Sequence, residues 1–545
     1  MRTTCLFPAP FAFILLLSFS AAAQSQRKPD AATAAWWAQT VALSDDSMEG
    51  RDTGSEAYER AAKYVADQFK AAGLNPAGDN GTYFQRVPMH QVDLDLANSS
   101  ISIPEPYKAV PSVASISSAG SVAPANEDGM FFNLLQQVTI APREDLPPLT
   151  KGEMVFVGSG IPDATTDLKG KIAVFFNNTP AGLTQQERES FASRRQRALT
   201  QAGVIATVSI DNPLAIEPFH WPAAYARTVT LHDQPPTTPT RTSPVAIRIS
   251  SEAAANLFLA SGHEIGDIRR DGAAGIPLPN FALKHSLRIR LATLSKDISS
   301  PNVLAILPGS DPKLAPEYVA LSAHLDGYGY GTPVLGDNLY NGTLDDAAYV
   351  ALLIELAKNL QHKAPARSLL FCIFTGEEKG LLGSAYFTEH PTVPKENIVA
   401  DLNLDQLRPI FPLNILTMEG LTDSTLGDTV RAVAAPFKIE IRPDLEPERN
   451  LFRRSDNYNF VRIGVPIAAF VFGYDKGSPE EIVYRDWYAR RYHKPQDDIK
   501  TPIDWDAAAK FNRFYTALTL AIANATARPQ WLPASPYSPH QRTGQ

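Results

Sequence analysis

His324, in the run Leu321-Ser322-Ala323-His324-Leu325-Asp326, begins a series of side chains suited to metal-assisted chemistry. Asp345 and Asp346 follow in Asn341-Gly342-Thr343-Leu344-Asp345-Asp346. Glu377 and Glu378 stand in Phe374-Thr375-Gly376-Glu377-Glu378, Asp405 in Leu402-Asn403-Leu404-Asp405, and His493 in Tyr492-His493. Two imidazoles and three carboxylates, with one further glutamate beside a ligand, are what two adjacent zinc ions and a general base require. Gathered in one place, Asp345, Glu377, Glu378 and Asp405 would repel one another and bind protons. Two divalent cations cancel that charge. Zinc is favoured by imidazole and carboxylate donors at about 2.0–2.2 Å, and two such ions about 3.5–4 Å apart can share a carboxylate.

Each motif alone has a plainer reading. Asp-Asp ahead of a helix is usually a cap, Glu-Glu after a strand a solvated turn, and a lone His or Asp at a strand end a structural residue. Their order and their placement argue for more. Apolar runs predict strands over 303–307, 318–323, 368–374 and 398–404, and a helix over 347–360 whose few polar positions imply burial on most sides. His324, Glu377, Glu378 and Asp405 each fall just past a strand's C-terminal end, and Asp345 falls at the helix start. In an open α/β sheet that rim is where ligands bind. Asp326, two residues beyond His324, is expected to accept the imidazole's free N–H and fix its tautomer.

The wider chain fits such a scaffold. Its 545 residues, 44% of them hydrophobic, can fill more than one core, and a net charge of -8 with no polybasic run argues against a nucleic-acid or anionic-membrane partner. Arg2, the apolar stretch 6–19 and Ala21-Ala22-Ala23 read as a signal peptide over 1–23, so export to the periplasm or the exterior is expected, with no stable membrane insertion afterwards. Of the two cysteines, Cys5 would leave with the signal; Cys372, inside an apolar strand, is expected to fill core. Residues 24–107 hold a helix over 58–72 closed by Gly73. Residues 108–292 are β-rich and broken by prolines, with strands at 154–157, 171–176, 204–210 and 245–249 and helices at 191–202 and 252–261, and read as a self-contained insert. Residues 293–528 show the strand–helix alternation of an α/β domain, and 529–545 an extended or loose tail.

These motifs resemble the zinc aminopeptidases of clan MH, which also include glutamate carboxypeptidase and glutaminyl cyclase. The resemblance extends to Pro301-Asn302-Val303, Glu317-Tyr318-Val319, Gly380-Leu381-Leu382-Gly383-Ser384, Gly464-Val465-Pro466, Gly50-Arg51 and Phe84-Gln85. Residues 108–292 are similar to a protease-associated domain, through Val155-Phe156-Val157-Gly158 and Asp167-Leu168-Lys169-Gly170-Lys171. The implied fold is a three-layer α/β/α zinc-peptidase domain with a mixed central sheet, interrupted by that β-rich insert. The resemblance implies two zinc ions bridged by Asp345, one also held by His324 and Asp405, the other by Glu378 and His493. It implies Glu377 as general base, a cis peptide at Asp345–Asp346, and peptide substrates cut at the N-terminus. Carboxypeptidase or dipeptidase action, glutaminyl cyclisation and a non-catalytic binding role are the alternatives. The chain departs from the common pattern at Asp346, Ala348 and Tyr349, where relatives often carry Asn, Ser and Gly, and at Asn457, where Ser-Asp-His is common. Tyr349 would add bulk near the pocket. Tyr458, Arg453 and Arg454 are the candidates for stabilising an oxyanion.

Overall fold

The computed structural model describes residues 28–104, 129–163, 165–215, 217–232 and 243–538. The expected signal peptide and the last residues of the tail lie outside them. No helix among the described residues is long and apolar enough to cross a membrane.

A mixed ten-stranded sheet forms the centre. Across it run Glu440–Arg442, Ile415–Glu419, Ile467–Gly473, Ile398–Asn403, Tyr318–His324, Ser368–Phe374, Thr293–Leu307, Phe84–Leu94 and Arg227–Leu231, with Asn75–Pro76 paired off this path to Thr293–Leu307. The four inner strands, from Ile467–Gly473 to Ser368–Phe374, are mutually parallel. Their C-terminal ends therefore share one rim. Ser368–Phe374 is buried along its whole length, Cys372 included, as its unbroken apolar run requires.

One face of the sheet carries the helices Ala31–Leu43, Glu56–Ala71, Ala348–Leu360, Leu426–Ala434 and Trp505–Asn524, which together with it enclose the largest core. Ala348–Leu360 is buried at all but Glu355, Lys358 and Asn359, and Ala31–Leu43 covers it through a bond from Trp36 Nε1 to the Ala348 carbonyl, 2.7 Å. The short helices Leu382–Glu389 and Asn457–Arg462 pack with the other face. Three layers result, as expected. Tyr349 turns into the main core against Phe511, so its bulk is spent on packing and stays out of the pocket.

A second, eight-stranded sheet is built from Ser100–Pro104 through Asn280–Arg290 and encloses a core of its own around Phe156, Ile172, Val208 and Ile247. The long strands Phe84–Leu94 and Thr293–Leu307 pair over their whole overlap, from Phe84 opposite Val303 to Leu94 opposite Thr293, and lead into and out of this unit. Arg227–Leu231 returns from it to edge the central sheet. The helix expected over 252–261 is a single 3₁₀ stretch, Ala253–Phe258. The tail, up to Ser538, is extended but packed: Trp531 Nε1 donates to the Gly464 carbonyl at 2.8 Å, and Tyr537 stacks on Phe452.

Candidate metal centre

The parallel rim delivers the chemistry-bearing residues to one point. His324 ends its strand. Glu377 and Glu378 sit in the turn after Ser368–Phe374, and Asp405 lies two residues past Ile398–Asn403. Asp345 lies in an irregular turn, Thr343–Ala347, directly ahead of the buried helix, and the Asp345–Asp346 peptide is cis. Gly342 opens that turn at φ +58°, and a Cβ there would come within 2.6 Å of the Asp345 carbonyl, so the tight loop depends on glycine. His493 adopts φ +54° after the helix Pro479–Arg490.

Two donor groups result, and they share Asp345. His324, Asp345 and Asp405 form one; Asp345, Glu378 and His493 form the other; within each, the ligand atoms lie within 4.8 Å of one another. His324 Nε2 is 3.2 Å from Asp345 Oδ1 and 3.8 Å from Asp405 Oδ1, while His493 Nε2 is 3.3 Å from both Asp345 Oδ2 and Glu378 Oε2. Glu377 Oε2 stands 4.0 Å from His324 Nε2. His324 Nε2, Asp345 Oδ2 and Asp405 Oδ1 are buried and make no hydrogen bond among the described residues. Converging donors without partners, at such depth, fit cations at both positions.

The electrostatics agree. Burial drives the Glu377 carboxyl well above its usual range, and the negative charges of Asp405 and Glu378 add to it against the pull of His324. Burial and Asp345 likewise push Glu378 up to about 7, opposed by His493. Burial works against a charged His324, yet Glu377, Asp345 and Asp405 hold its pKa well above the ordinary value. Buried carboxylates crowded in this way favour added positive charge, which divalent cations would supply.

The supporting contacts fix how each ligand points. His324 Nδ1 lies 3.0 Å from the Asp326 main-chain carbonyl. A carbonyl only accepts, so Nδ1 carries the proton and Nε2 is left to face Asp345 and Asp405. This corrects the expected contact. The Asp326 carboxylate stands 3.8 Å away because it is engaged by other donors: Glu377 N at 3.0 Å, Glu378 N at 3.3 Å and Thr53 Oγ1 at 2.9 Å. It shapes the Glu377-Glu378 turn instead. Asp346 accepts from His324 N and from Gln406 N, tying two rim loops together. Asp497 accepts from Leu344 N and Asp345 N at 3.1 Å. Arg51, fully buried, donates to the carbonyls of Leu43, Leu325, Asn341 and Gly342. Tyr328 OH meets His493 Nδ1 at 3.0 Å, and the ring of His220, from the second-sheet unit, lies 6.1 Å from that of His493.

Sequence reasoning missed Asp497, Tyr328 and His220. Asp497, in Gln496-Asp497-Asp498, and Tyr328, in Gly327-Tyr328-Gly329, are lone polar residues in loops, and no spacing marks them. Of the three oxyanion candidates only Arg454 lines the cavity at the centre, and it is paired with Glu217; Tyr458 lies in a separate cavity beside Leu381, with Arg453 stacked over its ring.

Comparison with known proteins bears on this geometry. Residues 302–519 match Peptidase family M28. A "Probable zinc metalloprotease" of Pyrenophora teres f. teres is 32% identical over 111 residues, 20% of this chain and 23% of that one. "Aminopeptidase Y" of Saccharomyces cerevisiae is 24% identical over 236 residues, 42% of this chain and 40% of that one. The chain thus spans about a quarter to two fifths of the length of these curated relatives. The structure of a zinc aminopeptidase from Bacillus subtilis superposes with a TM-score of 0.56 at 16% identity, covering 90% of this chain and 95% of that one, which shows a shared fold.

Proposed function

We propose that the protein, whose residues 302–519 match peptidase family M28, is a zinc-dependent aminopeptidase acting on peptides outside the cytoplasm, after removal of a signal over 1–23. His324, Asp345 and Asp405 would hold one zinc ion, Asp345, Glu378 and His493 would hold a second, and Glu377 would serve as general base. The observation that carries this reading is Asp345 shared between two three-donor groups, with Glu377 at their edge.

Bound zinc supplies Lewis acidity, lowering the pKa of a water and polarising the scissile carbonyl. The side chains do the rest. The Glu377 carboxylate, its proton affinity raised by burial, takes the proton of the attacking water and passes it to the leaving amine nitrogen. Asp326 holds the Glu377 turn through two backbone N–H groups. The Asp326 carbonyl keeps His324 in one tautomer, and Tyr328 orients His493.

The shape around the centre favours attack at the first residue of a peptide. On one side lies a small cavity of about 50 Å³, closed by Leu451, Glu419 and Val471. On the other a cleft of about 1040 Å³ opens between the second-sheet unit and the catalytic domain. Both reach His493 and Arg454. The small side has room for roughly four water-sized groups, enough for one side chain. The remainder of a peptide would leave through the cleft. The second-sheet unit, read as a protease-associated insert over 108–292, forms that cleft's outer wall.

The test is a panel of peptides with free or acetylated N-termini, offered to zinc-loaded protein before and after chelation. Release of the first residue from free peptides alone, lost with chelator and restored by zinc, is expected. Cleavage of acetylated peptides from the C-terminus would favour the carboxypeptidase alternative instead.

A further inference from the structure

The small cavity beside the centre has a floor set by strand register. Asn403 lies opposite Ala469, and Ala469 opposite Glu419, on neighbouring strands. Directly opposed residues point to the same face, so the three side chains form one row about 10 Å long. Ala469 contributes only a methyl group, which leaves open space between Asn403 and Glu419. Asn457, at the start of its helix, lines the same cavity.

These polar groups share an unusual property. Glu419 Oε1, Asn403 Oδ1 and Asn457 Oδ1 are all buried, and none has a hydrogen-bond partner among the described residues. Glu419 is 7% exposed; Asn403 and Asn457 are 1% exposed. The amide orientations follow from their other contacts: Asn457 Nδ2 donates to the Phe452 carbonyl, and Asn403 Nδ2 to Ser322 Oγ, both at 3.0 Å. This part of the cavity thus presents three acceptors without partners among the described residues, while Gln406, Ser455, Tyr492 and His493 line it elsewhere. Arg454 in its wall is occupied by the Glu217 carboxylate through two bonds of 2.8 Å. An acceptor left unpaired at this depth is costly, and an apolar occupant would leave all three so.

We propose that this cavity selects a cationic side chain, guanidinium or ammonium, on the residue whose carbonyl is attacked, with Glu419 as its counter-charge and Asn403 and Asn457 as acceptors for its remaining N–H groups. The inference rests on the aminopeptidase reading and adds the substrate class. A guanidinium brings five donors and an ammonium three, against three waiting oxygens. Burial and Asp444 push the Glu419 carboxyl up to about 8, opposed by Arg449, and a cation entering the cavity would favour its charged form.

The experiment compares arginyl, lysyl, glutaminyl and norleucyl 4-nitroanilides on zinc-loaded wild type and on the isosteric Glu419→Gln variant. For wild type, kcat/KM on the arginyl and lysyl substrates should exceed that on the norleucyl substrate about tenfold or more, and the ratio should fall about tenfold in E419Q. A wild type that turns over the norleucyl substrate as well as the arginyl one overturns the proposal, whatever the variant does. An unchanged ratio in E419Q overturns it too. Absence of turnover on every substrate would overturn the peptidase reading alone. Calorimetric titration of arginine amide and norleucine amide into the same zinc-loaded proteins then decides the cavity. Arginine binding about tenfold tighter in wild type but not in E419Q supports it, and equal binding overturns it.

Discussion

Glu377 and Glu378 are neighbours in sequence, yet the turn after Ser368–Phe374 sends them to different places. Glu378 Oε2 reaches His493, whereas Glu377 Oε2 faces His324 at 4.0 Å and lies outside both donor groups. Glu377→Gln should therefore keep the zinc content of wild type and lower kcat about 10²–10⁴-fold, read from metal analysis and initial rates on one sample. Turnover near wild type with metal intact would remove Glu377 from the base role. At this scale the sequence was highly legible. His324, Asp345, Glu377, Glu378, Asp405 and His493 all lie at the centre, because paired acids and lone imidazoles at strand ends leave a trace in the linear order, whereas Tyr458 and Arg453 lie apart from it. The Asp326 contact was legible as a residue but not as an atom, since nothing in the sequence tells a carboxylate from the carbonyl beside it. Glu419 left no trace either: it ends a five-residue strand buried throughout, with no alternation to mark which way its side chain points.

Among the elements, the loop around Asp345 is the one the site leans on most. Its backbone N–H groups at Leu344 and Asp345 end on the buried Asp497 carboxylate, and Arg51 gathers carbonyls from both sides of it. Asp497→Ala should strand those two N–H groups and cost about 2 kcal/mol or more of stability, seen as a lower urea midpoint, together with weaker zinc retention. An unchanged midpoint would show that the loop is held by other contacts. Elements with a strong apolar pattern were read almost to the residue: the strand Ser368–Phe374, the strand Val245–Ile249 and the helix Ala348–Leu360. Thr293–Leu307 was read only from residue 303, because its first half is polar and stays mostly exposed while pairing with Phe84–Leu94. Arg227–Leu231 went unread, since an edge strand joining a distant sheet is fixed by tertiary pairing alone.

Across the whole molecule, the second-sheet unit meets the central-sheet domain at the rim of the site, and one carboxylate ties them. Glu217 accepts from Arg454 through two bonds of 2.8 Å and from Arg449 Nε at 3.0 Å. Burial opposes its charge, but Arg454 and Arg449 hold its pKa down to about 2 in the folded chain. A depressed acid contributes stability above its unfolded pKa of about 4.3, and loses it as pH falls through the folded value. Glu217→Gln should therefore lower the melting temperature at pH 7, with the gap to wild type narrowing between about pH 4.3 and 2. A gap constant across that range would show that this ion pair does not couple the two units. The central claim concerns the pair of ions, and diffraction from crystals of the zinc-loaded protein at the zinc absorption edge tests it most directly. Two anomalous peaks should flank the Asp345 carboxylate, one about 2.0–2.2 Å from His324 Nε2 and Asp405, the other equally close to Glu378 and His493 Nε2. A single peak, or peaks away from Asp345, would contradict it.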